Sequence, residues 1–297
     1  MAGPRIGSVC SGYRGLDMAV ERVFGGTTAW VSDIDPGANK ILAHHWPQVP
    51  NLGDIKTVDW SAVEPVDICC GGYPCQPFSI AGEKRGTADE RHIWPHIAHS
   101  LGVLRPRIAV FENVGNHLRL GFDTVLADLA RLGFDAEWLC LRASDVGAPH
   151  PRRRLILLAV AQDADREPRV EWRVAAPGQE EGGGAWSDAG GRGGAPADGT
   201  CDSSAGAWGK YEPAVRRWER AAGRAAPHPV NAMGRLSTAA VEWMMGLPAG
   251  HVTGVPGLTR SEQLHALGNG VVPQQVEAAL RVLAARAGLT RSLAVAA

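Results

Sequence analysis

Short apolar runs alternate with amphipathic segments through the first half of this chain, and no other feature constrains its fold as much. Arg5 to Cys10 reads as a strand, and Leu16, Ala19, Val20 and Val23 then fall on one face of a helix. Ala29 to Ser32 is a second strand, followed by a helix from Gly37 to His45. A third, short strand is expected before Gly53-Asp54-Ile55, a fourth over Val66 to Cys70 and a fifth over Ile108 to Phe111. A helix over Thr124 to Leu132 leads to strands at Ala136 to Leu141 and Arg154 to Val160. This alternation predicts an α/β fold with a doubly wound, mainly parallel sheet. Such sheets bind ligands at the carboxyl ends of their strands.

The strand ends carry unusual residues. Gly71-Gly72-Tyr73-Pro74-Cys75-Gln76-Pro77-Phe78-Ser79 puts a cysteine between two prolines directly after the fourth strand. Phe111-Glu112-Asn113-Val114 closes the fifth. Ser11-Gly12-Tyr13-Arg14-Gly15 follows the first strand, Asp33-Ile34 the second, and Asp54 the expected third. Gly147-Ala148-Pro149-His150-Pro151-Arg152-Arg153-Arg154 is a basic approach to a strand. Arg235-Leu236-Ser237, Met244-Met245-Gly246-Leu247-Pro248 and Ala266-Leu267-Gly268-Asn269-Gly270-Val271-Val272-Pro273 come later. Taken singly, each has an ordinary explanation: a packed cysteine, a surface carboxylate, a cap or turn aspartate, a solvated basic face.

Taken in order, these motifs resemble those of the DNA (cytosine-5)-methyltransferases, over all of the chain except about residues 161 to 230. The resemblance implies a Rossmann-like, S-adenosylmethionine-dependent methyltransferase fold with a small inserted target-recognition domain. Residues 1–160 would form the first catalytic segment, 161–234 the recognition region and 235–297 the segment completing the catalytic domain. It implies Cys75 as nucleophile toward C6 of a flipped-out cytosine in double-stranded DNA, Glu112 as the acid holding the base, and Arg154 as their partner. It implies Ser11, Gly12, Gly15, Asp33, Ile34, Asp54 and Asn269 as contacts or supports of the methyl donor. Gln76, Ser79, Arg85 and Arg152 would touch DNA. Arg14 stands where the family has glycine: either the side chain strains the donor turn and weakens donor binding or, the preferred expectation, its guanidinium meets the donor's carboxylate.

Composition bounds this reading. The chain has 297 residues, is 45% hydrophobic and 21% charged, and carries a net charge of -1. That is a globular balance without the overall basicity of a histone-like binder. Six cysteines with no CxxC pair exclude a disulfide framework and predict no metal site. No apolar run has the length of a membrane span, and no signal-peptide pattern opens the chain. A monomer in a reducing cytoplasm is the expected setting. Pro177 to Gly206 is rich in glycine and poor in apolar residues, and is expected to be a mobile loop or linker. Arginines and tryptophans surround it, from Arg166 and Trp172 to Arg217, Trp218 and Arg220. Three rivals stay open: a tRNA cytosine methyltransferase of related fold, a non-catalytic DNA-binding relative, and a cysteine hydrolase using His92, His96 or His99.

Overall fold

The computed structural model describes residues 3–74, 93–162 and 206–289. Cys75, Gln76, Ser79 and Arg85 lie outside these residues, as does the Gly-rich stretch up to residue 205. Strands β1 (Arg5–Val9), β2 (Thr27–Ser32), β3 (Ile68–Gly72) and β4 (Ile108–Val114) alternate with helices α1 (Gly15–Phe24), α2 (Pro36–His45) and α3 (Trp94–Leu104). Helix α4 (Phe122–Arg131), β5 (Phe134–Arg142) and β6 (Arg153–Ala161) complete the sheet, and α5 (Glu212–Ala222), α6 (Thr238–Met244), α7 (Arg260–Asn269) and α8 (Pro273–Arg286) follow. The strand order is β2-β1-β3-β4-β6-β5.

The three pairs among β2, β1, β3 and β4 are parallel, because each connection contains a helix or a long loop that brings the chain back. Strand β6 is antiparallel to both β4 and β5. Its link to β5 holds only a short 3-10 turn, Ala143–Val146. A parallel return needs a crossover of roughly a dozen residues or more, so this chain turns back at once.

Alternation along the strands divides the core in two. Phe111 and Leu157 face α3 and α4, where Ile97, Leu101, Val125 and Leu129 meet them. Val110 and Ile156 face α1 and α8, where Val20, Val23, Leu280 and Leu283 close the other layer. A third cluster joins Tyr13 and Ile41 to Val215, Trp218, Trp243 and Leu267 from the C-terminal helices.

The expected third strand before Gly53 does not form. Val31 and Asn51 make a single isolated bridge. Val31 N–H donates to Pro50 O at 2.9 Å and Leu52 N–H to Val31 O at 2.8 Å. Pro50 has no N–H of its own, which stops the ladder from extending. A 3-10 turn, Gly209–Tyr211, leads into α5.

Candidate active site

Four parallel strands end at one edge of the sheet, and the reversed β6 begins there. Val114 pairs with Arg154, and Glu112 with Ile156, so Glu112 and Arg154 project from the same face. Arg154 Nε lies 2.7 Å from Glu112 Oε1, and the two side chains are only 14% and 10% exposed. This is an ion contact off the hydrogen-bond axis: Oε1 is buried with no hydrogen-bond partner among the described residues. Burial raises the Glu112 carboxyl above its usual range, and Arg154 and Arg152 offset only part of that rise.

The stem of the Cys75 loop starts beside this pair. A Cβ on Gly72 would stand 3.2 Å from Glu112 Oε2, so glycine leaves the carboxylate its room. Asn113 Nδ2 donates to Tyr73 O at 3.2 Å. His117 Nδ1–H donates to Leu120 O, which leaves Nε2 to accept the Tyr73 hydroxyl; both contacts are 2.8 Å. Tyr73 is therefore pinned at both ends, two residues before Cys75.

Arg152 is engaged inside the molecule, where the resemblance had it on the DNA backbone. Its guanidinium donates to Gly268 O at 2.6 Å and to Gly270 O. Gln275 braces the same segment, donating to Leu141 O at 2.7 Å and Arg152 O at 2.9 Å. Gly268 and Gly270, rather than Asn269, make these contacts. Asn269 is exposed and donates to His265 Nε2 at 2.9 Å on its own helix. His265 Nε2 in turn lies 3.7 Å from Asp35 Oδ2.

The first turn is held by the last motif. The Tyr13 ring packs against Gly270, where a Cβ would come within 1.9 Å of it. Its hydroxyl donates to Val271 O at 2.7 Å, and His251 Nε2–H donates to Tyr13 O at 2.9 Å. Gly15 is close-packed for the same reason: a Cβ there would be 2.6 Å from Val271 O. Gly12 differs, with φ +54 and no atom within 4 Å of the Cβ position. Its N–H donates to Asp33 Oδ2 at 2.8 Å, and Asp35 N–H donates to Oδ1 at 2.8 Å. Burial raises the Asp33 carboxyl. Ile34 beside it is 65% exposed. Asn51 Oδ1 accepts from Asp33 N–H at 3.0 Å and Gly53 N–H at 3.1 Å, tying these two loops together. Asp54 Oδ1 accepts from Lys56 N–H at 3.0 Å. The Ser11 and Ser8 hydroxyls are 2.8 Å apart in the interior.

Arg14 corrects the expectation placed on it. It adopts φ +66, and its guanidinium turns inward. Nε is 3.2 Å from Asp17 Oδ1, Nη2 is 2.7 Å from Glu21 Oε1 and also donates to Thr28 Oγ1, and the side chain is 1% exposed. The guanidinium stacks 4.2 Å over the Trp46 ring. Two carboxylates and an aromatic face inside the fold hold the charge, so none of it faces the open turn. Sequence reasoning missed Tyr13 and Asn51. An aromatic residue between two motif glycines was a usable signal for Tyr13; nothing local marked Asn51.

The open space over Gly12, the half-buried Asp33 carboxylate and the exposed Ile34 suit a ligand with a small-molecule backbone, hydroxyls and a flat ring. That combination, at the carboxyl ends of the first two strands of a doubly wound sheet, defines a methyltransferase fold of the S-adenosylmethionine-dependent class. Residues 5–181 match the model of the C-5 cytosine-specific DNA methylase family, and the chain belongs to that family. It is 38% identical over 122 residues to a DNA N-6-adenine-methyltransferase of Escherichia phage P1, covering 36% of this chain and 16% of the relative. It is 28% identical over 160 residues to the type II methyltransferase M.NgoMIV of Neisseria gonorrhoeae, covering 52% of this chain and 51% of the relative. The chain thus spans about half the length of that curated relative and a sixth of the first. The Entamoeba histolytica methyltransferase EhMeth shares the fold at TM-score 0.64 and 17% identity, over 97% of this chain and 99% of that one. No cluster of three or more His, Cys, Asp or Glu able to hold a metal occurs among the described residues. No helix among them is long and apolar enough to cross a membrane.

Proposed function

We propose that this chain transfers a methyl group to C5 of a cytosine in double-stranded DNA through a covalent bond between Cys75 and C6. The Glu112–Arg154 contact carries the reading: a buried carboxyl with raised proton affinity, one oxygen held beside Arg154, next to the stem of a cysteine loop. Bound S-adenosylmethionine supplies an electrophilic methyl group. Gly12, Asp33, Ile34 and Asp54 would hold it.

The protein's own task is to make C5 nucleophilic. The Cys75 thiolate adds to C6, and the ring electrons move toward N3 and C5. Glu112, protonated, hydrogen-bonds N3 and stabilises the charge that builds there. Arg154 fixes the carboxyl's orientation, and its charge offsets part of the burial effect. After methylation, loss of the C5 proton and release of the thiolate restore the ring. The described cysteines support the choice of Cys75. Burial pushes the Cys10 and Cys69 thiols up to about 12 and raises Cys70 and Cys140 too, so each stays a poor nucleophile. Because the target carbon is inaccessible in a stacked duplex, the cytosine must be extruded to reach this edge. Residues 161–234 would read the sequence, and 1–160 with 235–297 would form the catalytic unit. The packing of α8 against α1 supports that division.

The test is transfer of labelled methyl groups to cytosine-containing duplex DNA and, in parallel, to tRNA. Labelling of DNA at C5 that is abolished in folded Cys75→Ala is expected. Labelling of tRNA alone, or undiminished transfer by the variant, overturns the reading.

A further inference from the structure

Helix α5 lies beyond the stretch matched by the family model. Val215 and Trp218 anchor its inner side, and Trp218 Nε1–H donates to Trp243 O at 2.9 Å. Its arginines are sorted by position. Arg216 is paired along one edge with Glu212 at 2.9 Å and Glu219 at 3.0 Å. Arg224, just past the helix, donates to Leu247 O. Arg217 and Arg220 are exposed and make no ion pair or hydrogen bond among the described residues. Glu219, adjacent in sequence, is already held by Arg216 and by Ala226 N–H at 2.8 Å.

The side of α5 that carries Trp218 and Ala221 has a definite neighbour. A Cβ on Gly147 would lie 3.7 Å from both Ala221 and the Trp218 ring, so the helix is docked on the loop that runs into Arg154. That loop leads directly to Arg154 of the candidate site. We propose that Arg217 and Arg220 form a backbone-gripping edge for duplex DNA, an inference that rests on the function proposed above. Guanidinium groups bind phosphate oxygens in a fixed fork geometry, and neither arginine is tied up in an ion pair among the described residues, Arg220 feeling Glu219 only through space. Residues three apart on a helix project side by side. Contacts of this kind set affinity and register without reading bases.

The experiment is anisotropy of the full chain with a cytosine-containing DNA duplex across a salt series. Each neutralised phosphate adds about 0.9 to the slope of log affinity against log salt, so R217A/R220A should lower that slope by about 1.8. Over a roughly fourfold rise in salt this is about a twelvefold smaller loss of affinity. R216A, whose charge is already paired, should leave the slope unchanged. Calorimetric binding of S-adenosylmethionine should be the same in all three proteins. A wild-type slope in R217A/R220A, or an equal drop in R216A, overturns the proposal while leaving the methyltransferase reading intact. Failure of the wild type to bind DNA duplex, or tighter binding of an RNA duplex, removes the functional reading and this proposal with it.

Discussion

Arg154 Nε sits 2.7 Å from Glu112 Oε1 across an antiparallel strand pair inside a mainly parallel sheet. Were β6 parallel to β4, its first residues would lie at the opposite edge, and the arginine would be a strand length from the carboxylate. The contact places two opposing influences on one proton. Burial favours the neutral acid, the guanidinium favours the anion, and burial is the larger.

Replacing Glu112 with Gln keeps the shape and removes the acid. The chemical step should slow by about 10²–10⁴-fold, the range for a positioned acid or base. Donor affinity, measured calorimetrically, should stay at the wild-type level. The stability of the two proteins should also diverge with pH. A carboxyl whose folded-state pKa is raised contributes stability that is complete below the ordinary value of 4.5 and is lost as pH rises through the raised value. Wild type should therefore weaken relative to the Glu112→Gln variant across that window in urea unfolding. A pH-independent gap contradicts the direction of the shift.

Arg14 should matter for folding rather than for the donor. Removing one partner of a buried pair costs about 3–5 kcal/mol, and Asp17 is as buried as Arg14. Alanine at 14 also keeps the left-handed backbone, whereas glycine relieves about 1–2 kcal/mol of it. R14G is expected to be more stable than R14A and less stable than wild type by chemical denaturation, with S-adenosylmethionine affinity retained. Weaker donor binding in folded R14G would place the guanidinium at the donor after all.

His251 predicts a loss of stability in mild acid. Burial chiefly, with stacked His45 and nearby Arg14, lowers its pKa to about 4, against the hydrogen bond to Tyr13 O. A lowered folded-state pKa contributes stability that is complete above the unfolded value of 6.5 and declines as pH falls toward 4. The difference of 6.5 − 4 is worth on the order of 3 kcal/mol. H251Q, which retains an N–H donor but does not titrate, should flatten this part of the stability profile. An equally steep profile in the variant excludes His251 as its source.

Gly270→Ala probes the seam between the two ends of the chain. The added methyl would collide with the Tyr13 ring, and overpacking of this kind costs about 1–3 kcal/mol. Because Tyr13 belongs to the first turn, donor affinity should fall along with stability. Combining G270A with Y13L should recover part of the stability lost in G270A alone. Strict additivity of the two changes would show that the ring and the methyl do not meet.

The fold was legible where local pattern and tertiary role agree. The buried run Ile68–Gly72 and the amphipathic α1 follow from periodicity, since burial of one face is what sets the period. The reading failed at Asn51, where a proline-flanked segment makes one bridge instead of a strand. It also failed at Arg14, whose inward turn depends on Asp17 and Glu21 of α1, Thr28 of β2 and Trp46 after α2. Asp17 alone is near Arg14 in the chain, and one acid three residues on does not announce that arrangement.

The sequence by itself determined which residues are candidates for chemistry and which strands end beside them: Glu112 after an apolar run, Asp33 after another, an arginine group before a third. Only the tertiary structure decided that β6 runs backwards, that Arg154 therefore reaches Glu112, and that Tyr13 closes on Gly270. Strand periodicity is a local property, read from neighbours in the chain. Strand direction and the contact between distant turns depend on loop length and on close packing across the whole sheet, which no short stretch of sequence contains.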